Sequence, residues 1–274
     1  MSIRCELCFH HCQLEEGQVG FCKARANQRG KNVSLTYGRL SAAALDPIEK
    51  KPLRRFQPGA KILSVGSFGC NLRCPFCQNA SISMHAAAKE TPFISPQQLC
   101  EQALALCKRG NIGVAYTYNE PLISYEYVRD CARLVHEAGL CNVLVTNGTI
   151  EAKPWQELLP YIDAVNIDLK GFRADWYHEL QGDLDSVCRS IVIAAKMTHV
   201  EVTTLIVPGK NDREEEMHAI AGWLASVDPS IVLHVSRFFP RHHMSDAAAT
   251  PIETVKALAE TARCHLPFVY TGNC

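Results

Sequence analysis

Three cysteines stand within eight residues, Cys70-x3-Cys74-x2-Cys77, in the segment Gly66-Ser67-Phe68-Gly69-Cys70-Asn71-Leu72-Arg73-Cys74-Pro75-Phe76-Cys77-Gln78-Asn79. Thiolates so spaced are ligands for a soft metal centre. Structural zinc and ordinary ferredoxin clusters take four protein ligands, so this loop alone is one short. An iron–sulfur cluster held here would keep one iron open to a small chelating molecule, as catalytic metal sites keep a position open. A second group, Cys5-x2-Cys8-x3-Cys12 and then Cys22, supplies four thiolates, with His10 and His11 between them. C-x2-C is a metal-pair spacing, but the remainder does not repeat it. Zinc, a second iron–sulfur centre and no metal all fit, with His10 and His11 outside the ligand set.

Further polar groups fall just beyond apolar, β-branched runs. Asn119 and Glu120 lie in Tyr116-Thr117-Tyr118-Asn119-Glu120-Pro121, Asn147 in Thr146-Asn147-Gly148, and Asp168 and Lys170 in Asn166-Ile167-Asp168-Leu169-Lys170-Gly171. A carboxylate beside backbone carbonyls can receive an ammonium group. Asp168 and Lys170, two residues apart on a strand, project to the same side. Val207 opens Val207-Pro208-Gly209-Lys210-Asn211-Asp212, and Arg237 follows His234 in Leu233–Pro240. Arg237 suits an anionic group, while His234 reads equally as core or pocket lining.

Elements that position these groups can be read from the pattern. Strands are expected at 62–65, 112–117, 142–146, 164–169, 201–207 and 231–236, alternating with amphipathic segments. Ser95-Pro96 opens a helix closed by Gly110, Pro121 opens one ending at Gly139, Asp212 one over 213–227, and Thr250-Pro251 one over 252–264. The series predicts an α/β fold, either an open sheet or a partial (β/α)6 barrel, with its site at the C-terminal ends of the strands. Residues 1–60 read as a small Cys-rich N-terminal subdomain and 61–274 as the core.

The chain has 274 residues, 47% of them hydrophobic and 20% charged, with a net charge of zero. A folded domain with no global field for nucleic acid is expected. Residues 1–75 nevertheless carry twelve basic against five acidic side chains, a surplus suited to offsetting metal–thiolate charge. No apolar run reaches the roughly 18 residues of a membrane span, and the sequence after Met1 is polar and Cys/His-rich. Fourteen cysteines in a chain able to build its own core indicate a reducing cytoplasm rather than a disulfide framework. Cys100, Cys107, Cys131, Cys141, Cys188 and Cys264 read as small apolar residues.

The cysteine spacing, the aromatic before the third cysteine and the placement after a first strand resemble the radical S-adenosylmethionine (SAM) superfamily. That resemblance implies a [4Fe-4S] cluster on Cys70, Cys74 and Cys77 whose fourth iron is chelated by SAM, and reductive cleavage to a 5′-deoxyadenosyl radical that abstracts hydrogen from a substrate. It further implies SAM contacts from Phe76, Asn79, Asn119, Glu120, Asn147, Asp168, Lys170, Val207 and Arg237. Asp168-Leu169-Lys170 is similar to the corresponding segment of pyruvate formate-lyase activating enzyme, where a monovalent cation is held in some relatives. The combination Cys5-x2-Cys8-x3-Cys12…Gly20-x-Cys22-x2-Arg25, Asp46-Pro47-Ile48-Glu49-Lys50-Lys51-Pro52 and Thr271-Gly272-Asn273 resembles the AmmeMemoRadiSam system radical SAM enzymes. Many of those continue past the Gly-Asn with another cysteine pair, whereas this sequence stops at Cys274. An electron donor such as flavodoxin or ferredoxin and a small-molecule or protein substrate are implied, with no nucleic-acid or membrane partner. A glycyl-radical activase and a noncatalytic electron-transfer or zinc scaffold are the rival readings.

Overall fold

The computed structural model describes residues 1–87 and 91–274. Two small antiparallel pairs come first, β1 (Ile3–Arg4) with β2 (Gln13–Leu14) and β3 (Arg25–Gln28) with β4 (Lys31–Ser34). The main sheet then takes β5 (Ala42–Pro47), β6 (Lys61–Gly66), β7 (Asn111–Tyr116), β8 (Cys141–Thr146), β9 (Ala164–Asp168), β10 (His199–Ile206), β11 (Val232–Arg237) and β12 (Val269–Gly272). Its order is β12-β11-β10-β9-β8-β7-β6-β5, parallel except for β5 against β6. Strands β6 to β11 are the six expected from the sequence. The sheet is open, its end strands β5 and β12 not paired to each other, as a partial barrel requires.

Two strands extend that expectation. β12 adds a seventh parallel strand beyond β11. β5 adds an antiparallel edge, so the boundary expected at residue 60 does not separate the N-terminal part from the main sheet: Ala42 to Pro47 pair residue by residue with Gly66 to Lys61. Ala42-Ala43-Ala44 carries no β-branched side chain, and its strand conformation comes from the partner rather than from propensity.

Among the described residues, eight helices connect or flank the strands: α1 (Ala80–Ser83), α2 (Pro96–Ala105), α3 (Tyr125–Glu137), α4 (Ala152–Leu158), α5 (Ala174–Glu179), α6 (Leu184–Ala194), α7 (Glu214–Val227) and α8 (Ile252–Arg263). Ser95 caps α2 in a reciprocal box, its Oγ accepting from the Gln98 N–H at 3.2 Å while Gln98 Oε1 accepts from the Ser95 N–H at 2.8 Å. The helix ends before Gly110, through a 3-10 turn over Leu106–Arg109. Pro121 likewise opens a 3-10 turn, and α3 begins only at Tyr125.

Alternation along each strand sorts the sheet into two faces. Leu63, Val65, Val114, Tyr116, Leu144, Val165 and Ile167 pack with the helices in the main apolar core. The opposite face carries Ser64, Ala115, Asn166, Thr203 and His234, all buried. At the end where the parallel strands begin, Ile48 and Leu53 plug that face against Ile62, Ala115, Val143 and Ala164.

A buried ionic knot completes this plug. Glu201 is fully buried; it accepts from the backbone N–H of Arg54 at 2.9 Å and of Arg55 at 2.8 Å. Its oxygens also meet His199 Nε2 at 2.9 Å and His234 Nε2 at 2.5 Å. Burial alone would raise this carboxyl, but hydrogen bonds from His199, His234, Arg54 and Arg55 hold it down to about 2. His234 is therefore a core residue and does not reach the loop end of the sheet. A carboxyl with a lowered folded pKa contributes stability above its unfolded value and loses it as pH falls through the folded one. Glu201→Gln should cost about 3 kcal/mol in urea unfolding at pH 7, narrowing to roughly 1 kcal/mol at pH 3. An equal deficit at both pH values would mean that the carboxylate is not its source.

Candidate functional site

The loop leaving β6 turns sharply at Gly69, whose φ of +81° lies in the left-handed region. A Cβ there would meet the Cys22 carbonyl oxygen at 2.3 Å. Gly69→Ala should therefore displace the loop and the N-terminal segment together, costing about 2 kcal/mol of thermal stability and lowering iron content after reconstitution. An alanine variant matching wild type in melting temperature and iron would show that the close approach is not obligatory.

Beyond Gly69 stand Cys70, Cys74 and Cys77, all free thiols. Cys70 Sγ accepts from the Leu72 N–H at 3.4 Å and from Asn147 Nδ2 at 3.7 Å. Arg73 pins the loop through Nη1 to the carbonyls of Cys70 and Leu72, both at 2.8 Å, and through Nη2 to the Phe21 carbonyl. Burial pushes the Cys74 thiol up to about 11, and burial followed by the Glu120 charge raises Cys70 further. Thiols so protonated must lose their protons to bind iron, and coordination itself supplies that driving force.

One wall of the site follows β7. Tyr118 has a φ of +71°, unusual for a non-glycine residue, and is held by donating from its hydroxyl to Asp46 Oδ2 at 2.8 Å. Lys51 Nζ lies 2.9 Å from the same oxygen and 4.8 Å from the Tyr118 ring centre. The Asp46–Pro52 motif thus clasps the loop after β7. Asn79 Nδ2 donates to the Tyr118 carbonyl at 2.6 Å, and Asn119 bridges the two loops, accepting from the Ser67 N–H at 2.9 Å and donating to the Gly69 carbonyl at 3.0 Å. Glu120 is 3% exposed. Its Oε1 accepts from the Leu122 N–H at 2.9 Å and the Thr146 hydroxyl at 2.8 Å, and its Oε2 from the Asn147 N–H at 2.8 Å. Burial pushes its carboxyl up to about 7 against those hydrogen bonds.

The other wall follows β9 and β10. Lys170 Nζ lies 3.1 Å from Asp168 Oδ2 and 6.0 Å from the Phe76 ring centre. Burial would lower the Lys170 ammonium, but Asp168 and the nearby Cys74 outweigh it and raise it. Phe76 stacks on Trp176 at 6.0 Å and meets Phe238 edge-on at 6.5 Å. Val207 joins Leu72, Cys74 and Phe76 in the same apolar cluster. Arg237 lies at the end of β11, donating from Nε to the Thr250 carbonyl at 2.6 Å, with its guanidinium over Phe239.

Three side chains without an expected role help to build this site. Buried Asn211 accepts from the Val207 N–H at 2.7 Å and donates to the Lys170 and Leu205 carbonyls, both at 2.9 Å, fastening two loops together. Trp176 donates from Nε1 to the Lys170 carbonyl at 2.7 Å. Asn71 accepts from Asn147 Nδ2 at 2.9 Å and donates to Thr149 Oγ1 at 2.8 Å. Asn71 and Asn211 sat inside motifs already singled out; Trp176, in the short α5, had no local signal.

The N-terminal cysteines pack directly behind the Cys70 loop. Cys5, Cys8, Cys12 and Cys22 line one cavity with Leu7, Leu14, Phe21 and Ile123. His10 also lines that cavity, its Nε2 2.8 Å from the Asn71 carbonyl, and His11 lies near Glu6 and Glu151. Among the described residues, no three His, Cys, Asp or Glu side chains are gathered into a single-ion site.

The donor set around Cys70 fits an iron–sulfur cluster. Three soft sulfur donors share one loop in a largely apolar, partly aromatic setting, and the Leu72 N–H and the Asn147 amide point at Cys70 Sγ. A mostly parallel α/β sheet bearing these thiols at the end of its first parallel strand is a recognisable class of fold. Streptococcus suis SuiB bound to S-adenosylmethionine superposes with a TM-score of 0.59 at 14% identity, covering 78% of this chain and 52% of SuiB. A domain of pyruvate-formate lyase-activating enzyme from Bacteroides vulgatus gives 0.51 at 17% identity, over 59% of this chain and 99% of the domain. At such identities the likeness shows the fold alone. In sequence, an uncharacterized protein of Methanocaldococcus jannaschii is 39% identical over 99% of this chain and 81% of its own length. The pyruvate formate-lyase-activating enzyme of Clostridium pasteurianum is 25% identical over 58% of this chain and 67% of its own. The radical SAM superfamily model matches residues 64–224, and the chain belongs to that superfamily. No helix among the described residues is long and apolar enough to cross a membrane.

Proposed function

We propose that the chain is a radical SAM enzyme acting by hydrogen abstraction, with Cys70, Cys74 and Cys77 as the ligands of its [4Fe-4S] cluster. The observation that carries this reading is that a loop of three free thiols after β6, Glu120 after β7 and the Asp168–Lys170 pair at the end of β9 all lie at the same end of the parallel strands. When bound, the cluster and SAM supply one-electron cleavage of a sulfonium to methionine and a 5′-deoxyadenosyl radical. The protein's part is placement and exclusion of water. Glu120 offers its carboxylate to the SAM ammonium, and Asn147 steadies both Cys70 and the Glu120 loop. Asp168 and Lys170 present a hydroxyl acceptor and a carboxylate partner on the facing wall, and Phe76 and Val207 give an apolar seat for the adenosyl group. Asn79 and Asn119 hold the loops between which the cosubstrate lies, and Arg237 serves an anionic group at the mouth.

The test is direct. Anaerobically reconstituted protein given dithionite and SAM should release 5′-deoxyadenosine and methionine in equal amounts, with flavodoxin or ferredoxin able to replace dithionite. Intact SAM beside a full cluster would sink the proposal and favour a noncatalytic electron carrier. The similarity to pyruvate formate-lyase-activating enzymes supports a second reading, an activase acting on a partner protein. A stable glycyl radical raised on that partner, seen by electron paramagnetic resonance, would establish it.

A further inference from the structure

We propose that Cys5, Cys8, Cys12 and Cys22 hold a second iron–sulfur cluster, a four-iron cubane seated against the loop that carries Cys70. The proposal concerns these four ligands and stands whether or not the Cys70 site cleaves SAM. All four thiols are free, and they line one apolar cavity between the N-terminal hairpins and the 3-10 turn after Glu120.

Size decides which metal centre that cavity suits. Zinc binds sulfur at about 2.3 Å, so four zinc-bound thiolates crowd round one point and leave nothing between them. Here the four cysteines, together with His10, Arg25 and apolar side chains, line a cavity with room for a water-sized sphere. A sphere of about 1.4 Å radius cannot touch sulfur atoms whose centres are only about 2.3 Å away. The absence, among the described residues, of any single-ion group agrees with sulfurs held farther apart. A cubane, with its own inorganic sulfides between the irons, occupies such a space and takes one cysteine at each corner.

Hydrogen bonds to sulfur are the second, independent observation, because clusters are stabilised by N–H groups directed at their ligands. Asn32 Nδ2 donates to Cys5 Sγ at 3.1 Å. Asn71, which follows Cys70 in the chain, accepts from Asn147 Nδ2 at 2.9 Å, and the Asn147 amide also reaches Cys70 Sγ at 3.7 Å. Arg73 links the two sulfur groups, tying the Cys70 carbonyl to the Phe21 carbonyl next to Cys22.

The experiment reconstitutes a Cys70→Ala, Cys74→Ala, Cys77→Ala triple variant anaerobically with iron and sulfide. It should retain about four irons and four sulfides per chain with the Mössbauer signature of a [4Fe-4S] cluster, against about eight irons in wild type. Adding Cys8→Ser and Cys22→Ser should remove that remainder. Cys8→Ser, Cys22→Ser in an otherwise wild-type chain, checked for folding by circular dichroism, should lose about four irons and keep the Cys70 centre. In wild type, both clusters reduced, the paramagnetic resonance signals should broaden each other, and each should sharpen in the variant lacking its neighbour. A triple variant that folds and carries one zinc without sulfide, or in which Cys5, Cys8, Cys12 and Cys22 are all free thiols without metal, overturns the proposal. Failure of wild type to cleave SAM would leave these iron counts unchanged, so the two readings fail separately.

Discussion

Cys70→Ala, Cys74→Ala or Cys77→Ala is expected to lower reductive SAM cleavage by at least about 1,000-fold and to remove about four irons per chain, because two thiolates cannot retain a cubane that needs three. The three positions should not fail alike in structure. Cys70→Ala deprives the Leu72 N–H and Asn147 of their Sγ acceptor, but Arg73 still holds the Cys70 carbonyl, so the loop should keep its path. Cys74 lies in the apolar cluster with Phe76, Trp176 and Val207, and its alanine variant should also cost about 1 kcal/mol of packing. Cys131, fully buried in α3, is the control. Cys131→Ala should lose a similar amount of stability while keeping iron and SAM cleavage. Undiminished cleavage in any of the three loop variants, measured as 5′-deoxyadenosine per chain, would remove the cluster from Cys70, Cys74 and Cys77. An equal loss in Cys131→Ala would show that the assay reads stability rather than ligation.

What the sequence disclosed follows from how local each signal is. The cysteine triad is one continuous loop, so its spacing states its chemistry before folding. Strands β6 to β11 announce themselves by β-branched runs, and the parallel arrangement brings their ends, with Glu120, Asn147 and Asp168, to one edge. β5 could not be seen that way, because an alanine run becomes a strand only when Lys61–Gly66 offers hydrogen bonds. His234 was ambiguous for a related reason: its partner Glu201 is 33 residues away and is identified only by the register of β10 on β11. Asn211 and Trp176 become part of the site through contacts with the Lys170 carbonyl, and such backbone acceptors leave no trace in composition. The void between the four N-terminal cysteines is a property of packing alone. Cysteine spacing therefore left zinc, a second cluster and no metal all open, with zinc ahead of the other two.

Glu120→Gln is expected to weaken SAM binding to the reconstituted protein roughly 10- to 100-fold, the worth of a buried charge-assisted hydrogen bond of about 1.5–3 kcal/mol. Both carboxylate oxygens already accept from protein donors, so the glutamine also turns an NH2 toward the Asn147 or Leu122 N–H and costs about 1–3 kcal/mol of fold stability. Thr146→Val separates the two effects, since it removes one donor to Glu120 and leaves the charge. If the carboxylate meets the SAM ammonium, the valine variant should lose stability with less than about a 5-fold change in affinity, while the glutamine variant loses both. The pH dependence carries the same sign. Burial holds the Glu120 carboxyl near 7, above its ordinary value, so below pH 7 the free protein favours the neutral form, and the cost of ionising it falls as pH rises towards 7. A bound ammonium offsets that cost. Wild-type affinity for SAM should therefore increase from pH 6 to pH 8, and the Glu120→Gln profile should be flat. Parallel pH profiles in wild type and Glu120→Gln, with affinity losses that merely follow the melting temperatures of Glu120→Gln and Thr146→Val, would reduce Glu120 to a brace between the loops after β7 and β8.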